Sequence, residues 1–196
     1  MPHYDPSLIW RGRPGPWTVE DGAPFVSLNE RRISGPMGNT AAVKATRRHE
    51  LLHVRYSPLH KGYGTIDTGS INACEDARVN VMGALHGVPV AMMIRKSAIK
   101  KIIDSALVAA KRSGDYREIV RLGVAMLGLG VRSAGVGKMG TRWAEHMRPL
   151  HDADPAVYDM VRHFLSDHSP CIGPWARRGI PFRWTRETAQ AIEDLF

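Results

Sequence analysis

His49 and His53 stand four residues apart in the stretch RRHELLHVRY, residues 47 to 56, with Glu50 directly after the first histidine. On a helix, side chains four apart share one face, so both imidazoles can turn toward one ion. Zinc accepts neutral imidazole nitrogens at about 2.0–2.1 Å, and its catalytic sites keep one position open for water. Glu50 lies about 100° around the helix from His49. From there it can reach a bound water without occupying the metal, which is the place of a general base. Two histidines do not complete a zinc site, so a third ligand decides between chemistry and coincidence.

Three sources of that ligand can be compared. The metzincin pattern needs glycine three residues and histidine six residues past His53. Those positions hold Tyr56 and Leu59, and His60 falls one too late. A carboxylate on a following helix is the arrangement the chain favours. INACEDARVN, residues 71 to 80, supplies Glu75 and Asp76, 22 and 23 positions past His53. The intervening turn and loop can fold a second helix antiparallel against the first. Glu75 is the preferred third ligand and Asp76 the alternative, while His60, Asp67 or His86 would complete the site from a loop or helix end. A metal-bound histidine usually donates its other ring proton to an acceptor behind it. With Glu75 on the metal, Asp76 or Asn72 would orient His49 or His53, and Arg78 could pair with a carboxylate there. A developing oxyanion needs a donor, for which Tyr56, His60, Tyr63 and His86 are candidates.

HELLH followed by NACEDARVN resembles the gluzincins, which pair H-E-x-x-H with a glutamate on a later helix. More narrowly it is similar to metallopeptidase-like proteins of bacteria and phages that carry H-E-x-x-H and then N-x-x-E-D-x-R-[IV]-[EN]. Some relatives of the cobaltochelatase subunit with a von Willebrand A domain share that pattern. Asn72, Glu75, Asp76, Arg78, Val79 and Asn80 fit it, although the usual last residue is glutamate and Asn80 departs from it. The likeness covers about residues 40 to 88, and nothing in the remainder resembles a von Willebrand A domain. It implies a zinc peptidase acting on a polypeptide, encoded by a bacterium or phage, with His49, His53 and Glu75 on the metal and Glu50 as base. It also implies an edge strand beside the active-site helix. Residues 23–29, APFVSLN, are the candidate, and an extended peptide adding to them has clear hydrogen-bond logic.

Positioning these groups falls to the surrounding elements. Trp17–Val19 and Pro24–Leu28 are β-like and flank Asp21-Gly22, which predicts a hairpin. Asn39 or Thr40 can cap a helix that Ser57-Pro58 stops near Tyr56. A second helix is expected from about Ile71, capped by Ser70, to Leu85. A third covers about Val90 to Arg112, ended by Ser113-Gly114, and Asp115 caps a fourth ending near Leu127. GLGVRSAGVGKMG, residues 128 to 140, reads as a loop. It fails the phosphate-loop pattern, because Arg132 stands where glycine is needed and Met139 where serine or threonine is needed. Asp154-Pro155 opens a helix to about Leu165, and a last one follows Thr185. The expected class is α+β and mostly α: a small N-terminal sheet or hairpin packed on an active-site helix pair, then a helical C-terminal region. Residues 1–112 would form the metallopeptidase-like core and 113–196 the helical region packed on it.

Composition narrows the function classes. No apolar run approaches the roughly 18 residues of a membrane span. The N-terminus lacks the basic-then-apolar profile of a secretory signal, so action in the cytoplasm is expected. Cys74 and Cys171 cannot build a disulfide framework or a four-thiolate site. The net charge of +8 could attract nucleic acid. Its basic residues are scattered in short pairs, however, which favours a solvated surface. Two other classes remain as expectations: a zinc-containing module that assembles rather than cleaves, and a basic helical nucleic-acid-binding protein.

Overall fold

The computed structural model describes residues 17–58, 64–85, 88, 90, 93–129, 139–168 and 180–196. His60, Tyr63, His86, Cys171 and most of the glycine-rich stretch at 128–140 lie outside the described residues. The protein is mostly helical, with a small three-stranded sheet at its N-terminus, as the sequence leads one to expect.

The sheet joins β1 (Thr18–Asp21), β2 (Phe25–Ser27) and β3 (Arg32–Gly35) in the order β1-β3-β2. The expected hairpin between the first two strands does not form. β3 lies between them, parallel to β1 and antiparallel to β2, with Ile33 opposite both Val19 and Val26. The hairpin is β2–β3 instead, turning through residues 28–31, with Arg31 in the left-handed region at φ 53°. Asp21 bonds the Met37 N–H at 3.1 Å rather than closing a turn onto β2. Ile33 is fully buried and packs with Leu51 and Val54, flanked by Trp17, Val26 and Leu28. One anchor thus fixes the sheet on a helix.

That helix is α1 (Ala41–Tyr56). Thr40 Oγ1 accepts the Val43 N–H at 3.3 Å, satisfying one of the four donors a helix start leaves unpaired. Ser57 is extended at ψ 135°, as a residue before proline must be, and ends the helix. α2 (Thr68–Leu85) starts three residues earlier than expected. Asp67 is the reason: its carboxylate takes the Gly69 N–H at 2.7 Å. Ser70, expected as the cap, is instead fully buried and bonded to Glu193.

The remaining helices are α3 (Lys96–Ser113), α4 (Arg117–Leu129), α5 (Met139–Ala153), α6 (Pro155–His168) and α7 (Phe182–Asp194). Gly114 at φ 77° ends α3, and Asp115 and Asp154 cap the helices that follow them. α5 answers no sequence expectation. Its buried Trp143, Met147 and Leu150 follow helical spacing despite Pro149 inside it. The main core gathers apolar residues from α2 through α7, centred on α2 against α4, and runs across residue 112. Among the described residues no helix is long and apolar enough to cross a membrane.

Two glycines set how closely the site helices meet. A Cβ on Gly83 of α2 would come within 2.3 Å of Leu52 on α1. One on Gly128 of α4 would meet the Ala77 backbone at 2.8 Å and Asn80 Cβ at 2.7 Å. The Gly128 contact is with backbone and fixes how closely α4 approaches α2, whereas the Gly83 contact is with the tip of the Leu52 side chain.

Candidate metal centre

α1 turns Leu51 and Val54 to the sheet and Leu52 to the main core. His49 and His53 lie on the side facing α2. Their Nε2 atoms are 3.2 Å apart. Asp76 Oδ1 stands 3.0 Å from His53 Nε2 and 3.6 Å from His49 Nε2. Four equal bonds of about 2.0–2.1 Å in a tetrahedron put the ligand atoms about 3.3–3.4 Å apart. The three distances straddle that value, so His49, His53 and Asp76 form a group that could hold a metal ion.

The outward ring nitrogens are both engaged. His49 Nδ1–H donates to Asn80 Oδ1 at 2.8 Å. His53 Nδ1 lies 3.0 Å from Ser57 Oγ. Ser57 gives its own proton to Glu75 Oε1 at 2.5 Å, so its oxygen must accept from the ring. Both imidazoles are therefore fixed with Nε2 unprotonated in their neutral form. Two lone pairs and a carboxylate oxygen converge with no donor among them, and such a cluster calls for a cation. Side-chain exposure is 7% at His49, 15% at His53 and 43% at Asp76, so the centre opens to solvent on the Asp76 side.

Electrostatics agree. Burial opposes charge on His49, but Asp76 outweighs it by hydrogen bond and by charge, raising the imidazole to about 9. Desolvation works against Asp76 too, yet the two histidines hold its carboxyl well below the usual range. Both shifts favour positive charge at the point where the two rings and Asp76 converge. Burial pushes the Glu50 carboxyl up, against the pull of His49 and His53. Glu50 is 5% exposed, and no described residue hydrogen-bonds its carboxylate.

Glu75, the expected third ligand, is turned away. Its Oε1 accepts from Ser57 and from Arg78 Nη2 at 2.5 Å, and its Oε2 accepts from Arg78 Nε and Thr185 Oγ1, each at 2.8 Å. Arg78 opposes the desolvation of this carboxyl and holds it below its ordinary value. Asp76 rather than Glu75 joins the two histidines for a geometric reason. Asp76 is four residues before Asn80, matching the spacing of His53 and His49, whereas Glu75 is rotated a further 100° or so. Asn72 is exposed and orients neither histidine. Asp67 pairs with Arg121 at 2.8 Å, outside the centre. Tyr56 packs its ring against the main core, and its carbonyl accepts from Arg78 at 2.7 Å. Cys74 is fully buried in the core, its thiol pushed up by burial.

Ser57, Asn80 and Thr185, which the sequence marks only as a helix stop, a motif position and a helix start, turn out to contact the site. The signal for Asn80 was present, because D-x-x-x-N repeats the spacing of H-x-x-x-H. Comparison with protein-family models, curated proteins and solved structures finds no match for this chain.

Proposed function

We propose that this chain is a zinc-dependent metallopeptidase. His49, His53 and Asp76 hold the ion, and Glu50 takes the proton of the water that attacks a peptide carbonyl. The observation that carries the reading is the convergence of two imidazole nitrogens, whose ring protons are committed elsewhere, with a carboxylate oxygen. Two imidazoles and one carboxylate suit zinc and leave a position for water. When bound, zinc polarises the carbonyl and eases deprotonation of the water. A carboxyl raised by burial suits a group that accepts that proton and returns it to the departing amine nitrogen. β2 lies on α1 with its outer edge uncovered by any described strand, where an extended polypeptide could add.

The test is incubation of the zinc-loaded chain with an unfolded polypeptide such as casein, with fragments read by mass spectrometry. Cleavage is expected from the wild type. Glu50→Gln should retain zinc but cleave at least about 10²-fold more slowly. A zinc-loaded wild type that cleaves nothing would contradict the peptidase reading and favour an assembly role.

A further inference from the structure

We infer that Thr185 is a positioning residue for the metal centre, and that metal binding between α1 and α2 and docking of α7 stabilise each other. This rests on the metal-binding reading above.

The connection is continuous. His53 Nδ1–H meets Ser57 Oγ at 3.0 Å, Ser57 donates to Glu75 at 2.5 Å, and Thr185 donates to the other Glu75 oxygen at 2.8 Å. Arg78 clamps Glu75 and also donates to the Ile180 carbonyl, just before α7, at 3.0 Å. Ser57 is 7% exposed, Glu75 6%, Arg78 3% and Thr185 0%, so water cannot replace a lost link without opening the core. In such surroundings hydrogen bonds reinforce one another, and a half-satisfied network costs more than none.

A fully buried helix position is ordinarily filled by an apolar side chain. Thr185 instead aims a donor at a carboxylate 110 residues earlier in the chain. If α7 leaves, Glu75 loses that donor and Arg78 loses its carbonyl. Glu75, which takes the Ser57 proton, is then held by Arg78 without Thr185, so Ser57 and its contact with His53 Nδ1 are held less firmly. Coupling of this kind is reciprocal, so a metal that needs the ordered His53 must tighten α7 in turn.

Thr185→Val keeps the shape and removes the donor, and Thr185→Ser keeps the donor. Zinc affinity is read by competition with a chromophoric chelator, and α7 by hydrogen exchange of amides in 182–194 with and without zinc. Thr185→Val should weaken zinc binding by about tenfold and Thr185→Ser by no more than about twofold. Zinc should slow α7 exchange in the wild type, a readout that stands even if Thr185→Val fails to fold. Zinc bound with α7 exchange unchanged, or undiminished affinity in Thr185→Val, would overturn the inference alone. A folded wild type that takes no zinc overturns the metal reading and this inference with it.

Discussion

Asn80 stands behind His49 as Asp76 stands before His53: the first pair meets at 2.8 Å and the second at 3.0 Å, one rung apart on two antiparallel helices. The rungs repeat because both helices place their polar residues four apart, on one face each. One rung fixes a ring's tautomer and the other brings a carboxylate oxygen to the group that could hold a metal ion, so Asn80 acts on that group without joining it.

Asn80→Ala removes the acceptor of a buried ring N–H and frees His49 to present a protonated Nε2. Metal affinity should fall about 10–100-fold, as for other residues that orient metal-bound histidines. Chelator competition measures it, and unchanged affinity would contradict the assigned role.

Glu75 and Asp76 should separate by phenotype. Glu75→Ala strands the Arg78 guanidinium, 4% exposed, without its counter-charge. Breaking a buried pair in this way costs about 3–5 kcal/mol. Asp76→Ala should cost less in the metal-free protein, because that side chain is 43% exposed and water can take its place. Urea unfolding of both variants gives the order, and the reverse order would refute it.

The pH dependence follows from the opposite shifts of His49 and Asp76 in the metal-free protein. His49 is raised from 6.5 to about 9, so its contribution to metal-free stability is complete below pH 6.5 and lost by about pH 9. Asp76 is lowered, so its contribution is present above its ordinary 3.8 and lost as pH falls further. Metal-free stability should therefore be greatest between those limits. Metal binding must expel the His49 proton, so affinity should rise about tenfold per pH unit up to about pH 9. Calorimetry in buffers of different ionisation heat counts the proton; none released at pH 7.5 would be the contrary result.

Gly128→Ala tests the close approach that constrains the rotation of α2. The added methyl would meet Ala77 backbone and Asn80 Cβ, neither of which can swing aside. Overpacking of this kind costs about 1–3 kcal/mol. Metal affinity should fall with it, because Asn80 must shift. Thermal unfolding and chelator competition on one preparation check both effects.

What was legible in the sequence was what neighbours determine. Thr40 and Ser57-Pro58 bound α1, Gly114 ends α3, and Asp154-Pro155 opens α6, since caps and breakers act within a turn. β3 was not legible: RISG offers one apolar residue and no alternation, and its pairing with β1 is set by packing on α1. The same division holds at the site. His49, His53 and a carboxylate-bearing second helix were visible as spacings. The choice of Asp76 over Glu75 depends on the rotation of α2, which the close approach of Gly128 to the Ala77 backbone constrains from another helix. Thr185 could not be found from spacing, because 110 residues separate it from the carboxylate it serves.

The central claim is that His49, His53 and Asp76 together hold one metal ion. The most direct measurement is elemental analysis of wild type, Asp76→Ala and Glu75→Gln after exposure to zinc and removal of the excess. About one zinc per chain is expected in the wild type. The metal should be lost in Asp76→Ala and kept in whatever fraction of Glu75→Gln is folded. A folded wild type without zinc, or zinc retained in Asp76→Ala and lost from folded Glu75→Gln, would contradict the account.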